Sequence, residues 1–127
     1  MHPQSAKKNK TNFYQVLKAA FNLANESTIL NVLHLDKLFV ERIVYELKAC
    51  AKDESAVMTL LRVLEDAVLV SANADPMWIM KNLVERKDLW NSVIATGDKF
   101  SAKVTKKIDS IQDLIKYESL NILNDDL

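Results

Sequence analysis

The chain has 127 residues, 49% of them hydrophobic, which is enough to bury a core in one domain without disulfides or a metal. Its 17 basic and 17 acidic side chains cancel, so no overall field favours nucleic acid or an anionic membrane. No apolar run reaches the roughly 18 residues of a membrane span, and the first residues lack the apolar stretch of a secretion signal. The lone cysteine, Cys50, fits a reducing compartment, so a cytoplasmic or nuclear protein is expected.

Glycine and proline are scarce, since the chain contains one glycine, Gly97, and two prolines, Pro3 and Pro76. Sheet proteins of this size use many more of both residues in their turns. Apolar residues recur at intervals of three and four along most of the chain, which is the period of an amphipathic helix. The sequence therefore predicts an all-α fold of about 6–7 helices joined by short loops.

The N-terminal part is a polar arm followed by two predicted helices. Residues 1–10 carry lysines and no carboxylate, which predicts a disordered basic arm, and residues 11–127 are predicted to form one helical domain. Its first helix spans TNFYQVLKAAFNLAN, with one apolar face and Thr11 or Asn12 as the cap. The next stretch, ESTILNVL, predicts a short helix that Ser27 caps.

Two longer helices are predicted in the middle of the chain, the first from about Asp36 to Ala51. The second, in DESAVMTLLRVLEDAVLVSANADP, is apolar over most of its circumference and is therefore predicted to lie at the centre of the domain. One of its stripes comprises Val57, Leu60, Leu61, Leu64 and Val68, and the adjacent stripe comprises Val63, Ala67 and Val70. The remaining polar strip is predicted to face solvent or a partner, and it comprises Thr59, Arg62, Glu65 and Asp66.

The next predicted helix starts at Pro76, which suits the first turn because proline has no N–H to lose there. Asp75 is expected to cap this helix. Both tryptophans follow. Placed 100° apart, Trp78 falls on the side that carries Lys81 and Asn82, so it either contacts a neighbouring helix of the same chain or anchors a partner protein. Trp90 shares an apolar face with Leu89, Val93 and Ile94 and is predicted to lie in the core.

The last helix is predicted at about residues 98–118, after Gly97, which suits a left-handed cap at the end of the preceding helix. Its apolar residues form a narrow seam with alternating spacings of four and three, namely Val104, Ile108, Ile111, Ile115 and Ile122. Such a seam suits one neighbouring helix. It either packs back along the preceding helices or supports self-association with another chain through residues 104–122.

The stretch VLKAAFNLANESTILNVLHLDKLFVERIVYEL resembles the junction between armadillo repeats, in which a helix ending in an Asn-Leu-Ala type sequence leads into a short helix and then a longer one. LVSANADP ends the central helix in a similar way about fifty residues later. The resemblance to armadillo/HEAT-type repeats covers residues 12 to about 97. It implies a right-handed superhelical stack whose long third helices line a groove for peptides or partner proteins, with the polar strip facing that groove. A compact helical bundle is the alternative arrangement.

The sequence lacks the common catalytic and ligand-binding motifs, since it contains no phosphate-binding glycine loop, HExxH, CxxC or GxSxG motif. His34 and Asp36 are interpreted as a helix-flanking histidine and a capping aspartate, and Cys50 as a core thiol. The sequence therefore predicts a protein that is not an enzyme, with no cofactor and no metal.

The predicted function is a non-catalytic scaffold or adaptor domain that binds a partner protein or peptide through a helical groove. The predicted partner-binding residues are Trp78, Lys81, Asn82, Thr59, Arg62, Glu65 and Asp66. One alternative is a nucleic-acid-associated domain that uses lysines of the N-terminal arm and of residues 99–107. The other alternative is a helical-bundle dimerisation domain.

Overall fold

The computed structural model describes residues 25–50 and 52–125, which form helices and no β-strand, so the predicted all-α class is confirmed. The predicted arm and the helix predicted to start at Thr11 lie outside the described residues. In the described part there are six α-helices: α1 (Glu26–Leu35), α2 (Phe39–Ala49), α3 (Glu54–Ala74), α4 (Pro76–Ile79), α5 (Lys87–Gly97) and α6 (Ala102–Asp125). A π-helical turn, Met80–Val84, continues α4. None of these helices is both long and apolar enough to cross a membrane.

Two of the helices begin at side-chain caps. Asn25 caps α1, since its Oδ1 accepts a hydrogen bond from the Thr28 backbone N–H at 2.9 Å. The predicted cap, Ser27, is wrong, because the extended backbone of Asn25 already places an acceptor at the helix start and leaves Ser27 inside the helix. Asp53 caps α3 in the same way, accepting from the Ala56 N–H at 3.1 Å.

The six helices form two successive groups with the same order of lengths. The first triad consists of α1, α2 and α3, with 10, 11 and 21 residues. The second triad consists of α4 with its π turn, α5 and α6, and its last two helices have 11 and 24 residues. Phe39 and Lys87, which start α2 and α5, are 48 positions apart, as are Glu54 and Ala102, which start α3 and α6. Two of the three corresponding pairs of helices are neighbours, since α2 packs against α5 and α3 packs along α6.

The central position predicted for α3 is confirmed. It packs against α1 and α2 of its own triad and against α4 and α6 of the second triad. Both predicted apolar stripes are buried, and Val57, Leu60, Leu61, Leu64, Ala67 and Val68 have no measurable exposure. Because four helices surround α3, the apolar residues on most of its circumference find partners inside the domain.

The loop between α5 and α6 departs from the prediction at Gly97. This glycine is the last residue of α5, and no described glycine has a positive φ, so the predicted left-handed cap is wrong. Gly97 instead lies close to α6, because a Cβ placed on it would lie 2.9 Å from Cδ1 of Ile108, whose side chain would have to shift. The final helix then begins at Ala102 and runs unbroken to Asp125.

The narrow seam of α6 packs within the chain, against α3, α4 and α5. Its first four residues are buried, namely Val104, Ile108, Ile111 and Ile115, and Ile122 is half-buried. The expectation that α6 lies back along the preceding helices is therefore confirmed. Self-association through residues 104–122 stays a prediction, and the side chains of the four buried seam residues are already covered within the chain.

Candidate protein-binding site

The structure divides the predicted partner-binding residues between different places. Trp78, Lys81 and Asn82 line a groove beside the end of α1, whereas Thr59 and Arg62 line another groove between the first halves of α3 and α6. Glu65 lies in an ion pair, with its Oε1 3.1 Å from Lys107 Nζ, and Asp66 is half-buried.

Trp78 lies in the core with 6% of its surface exposed, so the exposed-anchor alternative is wrong. Its ring packs on Phe39 of α2, with the ring centroids 6.3 Å apart and the planes at 60°. The π turn explains the error. The Glu85 N–H donates to the carbonyl of Met80, five residues earlier, at 2.8 Å, so residues in this turn advance by less than 100° each. The polarity of residues 81–85 therefore does not show which side of α4 Trp78 occupies.

The two polar residues after Trp78 have different environments. The Asn82 amide donates to the carbonyl of Trp78 at 2.9 Å, so this side chain satisfies the backbone of its own helix. Lys81 is exposed. A partner at this surface would meet Lys81 and the exposed Met77, while the indole stays covered.

His34 joins two elements that the sequence did not connect. Its Nε2 lies 2.8 Å from Oδ2 of Asp75, which ties the end of α1 to the junction of α3 and α4. Asp36, interpreted from the sequence as a capping aspartate, makes no side-chain cap on α2; it accepts from the Leu38 N–H at 3.1 Å and pairs with Arg42. Asp75 makes no side-chain cap on α4, because its carboxylate faces the imidazole of His34.

Trp90 is half-buried, with part of its ring against the core and part in a groove of about 270 Å³. The prediction that it is a core residue therefore holds for one side of the ring only. We call this groove the Trp90 groove. Apolar residues line it from the π turn, α5 and α6, namely Leu83, Val84, Trp90 and Ile115, and the polar lining residues are Lys87, Asn91, Gln112, Lys116 and Ser119.

The charge of the Trp90 groove is positive, because two lysines and no carboxylate are among its lining residues. Lys87 of α5 and Lys116 of α6 are exposed, and neither forms an ion pair within the part of the chain that the structure describes. Two exposed ammonium groups on different helices can both reach a bound ligand.

Arg86, next to Lys87 in the sequence, in contrast forms ion pairs with two carboxylates. Its guanidinium lies 3.1 Å from Asp88 and 3.0 Å from Glu41 of α2. Hydrogen bonds to Asp88 and Glu41 raise the pKa of Arg86 above its ordinary value. The bond from Arg86 lowers the pKa of Asp88 below its ordinary value of 3.8. Both carboxylate oxygens of Asp88 accept from Arg86, and Asp88 forms no ion pair with Lys87 within the residues that the structure describes.

Among the described residues, the cysteine, the possible metal ligands and the lysines of residues 99–107 do not form a ligand site comparable to the Trp90 groove. Cys50 is half-buried against the core. Within residues 25–50 and 52–125, no three His, Cys, Asp or Glu side chains converge to hold a metal ion. Of the lysines in residues 99–107, Lys107 is bound to Glu65 and the others are exposed, so nucleic-acid association stays a prediction.

No family model matches the sequence, and neither a curated protein nor a solved structure shows significant similarity to it. Any role for the Trp90 groove therefore rests on its own geometry and charge. Sequence reasoning missed this groove because it forms only where α5 and α6 meet. Comparison of residues 48 positions apart would have revealed it, since apolar positions of α3 correspond to polar positions of α6.

Proposed function

We propose that the chain is a non-catalytic scaffold or adaptor domain that binds a partner protein or peptide in the Trp90 groove. The observation that carries the proposal is a half-exposed tryptophan beside buried Leu83 and Ile115, surrounded by polar side chains. Tryptophan is enriched among the residues that dominate protein–protein binding energy, and an apolar pocket with a few polar groups is the usual form of a binding site.

The arrangement of helices proposed around this groove is a pair of armadillo-like repeats, one for each triad. The repeated order of two shorter helices and one long helix supports it, as do the contacts of α2 with α5 and of α3 with α6. The offset of 48 positions lies slightly above the roughly 40–47 residues usual for such repeats. In such an array each repeat packs only on its neighbours, and the last one keeps a polar outer face.

Display of randomised twelve-residue peptides tests the proposal. Peptides are selected on the unmodified protein and then measured against two variants. Asn91→Tyr places a bulky neutral side chain on an exposed residue that lines the groove, and Asn31→Tyr makes the same change on an exposed residue of α1. We expect the selected peptides to bind Asn91→Tyr at least about tenfold more weakly and Asn31→Tyr without change.

Emission from Trp90 gives a second readout, because the buried Trp78 is shielded from ligand and supplies a constant background. A spectral shift that saturates with peptide and is absent in Asn91→Tyr would locate binding in the groove. If no selected peptide distinguishes Asn91→Tyr from Asn31→Tyr, the proposed function is wrong.

A further inference from the structure

The two triads differ at the place where the Trp90 groove lies. Seven of its lining residues belong to α5 and α6, and each has a counterpart 48 positions earlier in the first triad. Six of these counterparts are buried, namely Phe39, Ile43, Leu64, Ala67, Val68 and Ser71, which correspond to Lys87, Asn91, Gln112, Ile115, Lys116 and Ser119. The seventh counterpart is Arg42, which is exposed and corresponds to Trp90. A surface that is open in the second triad is thus largely covered in the first.

The second triad contacts this surface of the first at Phe39 and packs along α3. Trp78 of α4 places its ring on Phe39, which is the counterpart of Lys87. The helices α4 and α6 both pack against α3, whose Leu64 and Val68 are fully buried. At Phe39 the domain therefore contains one example of how this surface is contacted, by a large aromatic side chain from a short helix.

We propose that the Trp90 groove receives a short amphipathic helix of a partner protein, in the position that α4 takes on the first triad. This inference rests on the proposed function and specifies the partner's form. About 270 Å³ is slightly below the usual range for a small-molecule pocket, so the groove holds one or two apolar side chains, with the partner's helix lying across its mouth. Helices that lay an apolar face into a groove are a common mode of peptide recognition.

The charge of the groove specifies the chemistry of this helix. Where the first triad has Phe39 and Val68, the second has Lys87 and Lys116, which line the groove from two different helices, α5 and α6. A neutral helix in this position would cover two ammonium groups without a partner, which costs free energy. The partner helix therefore carries carboxylates on both sides of its apolar stripe, so that one faces each lysine.

Three synthetic helices with one shared apolar stripe test this inference. Each has 18 residues, with one tryptophan and three leucines at helical spacing, and its flanking positions are all glutamate, all glutamine or all lysine. Binding is measured by fluorescence anisotropy of a labelled peptide. We expect the glutamate helix to bind, the glutamine helix to bind about tenfold more weakly, and the lysine helix to show no saturation. Raising the salt concentration should weaken the glutamate helix several-fold.

Charge reversal in the protein provides the matched control. In the double variant with Lys87→Glu and Lys116→Glu, the order of the glutamate and lysine helices should reverse, which a folding defect would not produce. Lys37→Glu, an equal change on an exposed lysine before α2, should leave the order unchanged.

Each other outcome overturns the inference in a recognisable way. If glutamine and lysine helices bind as tightly as the glutamate helix and Asn91→Tyr blocks all three, the acidic partner is wrong and the proposed function stands. The same holds if displayed peptides bind the groove but none of the helices does. If Asn91→Tyr blocks neither the helices nor the displayed peptides, both proposals are wrong. If the protein alone sediments as a dimer that Asn91→Tyr dissociates, the occupant is a second copy of this chain.

Discussion

The long helices of the two triads occupy the same place in their groups but differ on one face. In α3 this face consists of Val57, Leu61, Leu64 and Val68, all fully buried. The residues 48 positions later, in α6, are Thr105, Asp109, Gln112 and Lys116, which are exposed except for the half-buried Gln112. An apolar face stabilises the domain when a further triad packs around its helix, as α4 and α6 do around α3. The polar face of α6 has no further triad packed on it within the residues that the structure describes, and polar side chains suit contact with solvent.

This difference separates residues that hold the domain together from residues that are free to bind. Trp78 and Leu64 belong to the covered surface of the first triad and its contact with α4. Trp90, Gln112 and Lys116 belong to the open surface of the second triad. Substitutions in the first set should therefore lower the free energy of unfolding, whereas substitutions in the second set should mainly weaken binding.

The largest expected effect is that of Trp78→Ala, which should lower the free energy of unfolding by about 3–5 kcal/mol, because a buried ring packed on Phe39 leaves a cavity. Trp90→Ala should cost less, about 1–2 kcal/mol, because only part of this ring is buried. Urea denaturation followed by circular dichroism measures both variants without relying on tryptophan emission. A larger loss for Trp90→Ala than for Trp78→Ala would contradict the placement of the two rings.

The sequence alone predicts the helices well because each long helix has its own apolar pattern, and some of them also have a start signal. The two stripes of α3, capped by Asp53, identify the central helix, and Pro76 marks the start of α4. The predicted ends differ from the observed ones where a loop residue acts locally, as Asp36 does by accepting from Leu38 and pairing with Arg42.

Features that depend on contacts between helices could not be predicted in this way. A helical projection with a constant step of 100° cannot anticipate the π turn, so it misplaced Trp78. The role of Gly97 depends on how closely Ile108 approaches, and the pairing of His34 with Asp75 depends on two elements meeting in space. The Trp90 groove likewise exists only once α5 and α6 are placed side by side.

Leu64 and Gln112 occupy corresponding positions in the two long helices but differ in burial. Leu64 is fully buried in α3, and its counterpart Gln112 is half-buried in α6 and lines the Trp90 groove. Leu64→Ala should lower the free energy of unfolding by about 2–5 kcal/mol, the range for buried large-to-small changes. Gln112→Ala should change it by no more than about 0.5 kcal/mol. Chemical denaturation of the two variants provides the measurement. Similar losses of unfolding free energy at both positions would show that the faces of α3 and α6 contribute equally to stability.

The smallest expected effect concerns the ion-pair bridge between the triads. Arg86 precedes α5 and contacts Glu41 of the first triad and Asp88 of the second. All three side chains are substantially exposed, so solvent screens the bridge. Its contribution should nevertheless appear in the pH dependence of stability, because the bond to Arg86 lowers the pKa of Asp88 below its ordinary value of 3.8.

Asp88→Asn tests this contribution through urea midpoints measured at a series of pH values. A carboxyl group with a lowered pKa in the folded state stabilises the protein above its unfolded-state pKa, and this stabilisation is lost as the pH falls through the folded-state pKa. The unmodified protein should therefore be more stable than Asp88→Asn by a constant amount above about pH 5, and the gap should narrow below about pH 4. Asp109→Asn is the control, since Asp109 is exposed on α6 and forms no ion pair within the residues that the structure describes. If the difference in stability between the unmodified protein and Asp88→Asn grew as the pH fell, Asp88 would not be a stabilising partner of Arg86.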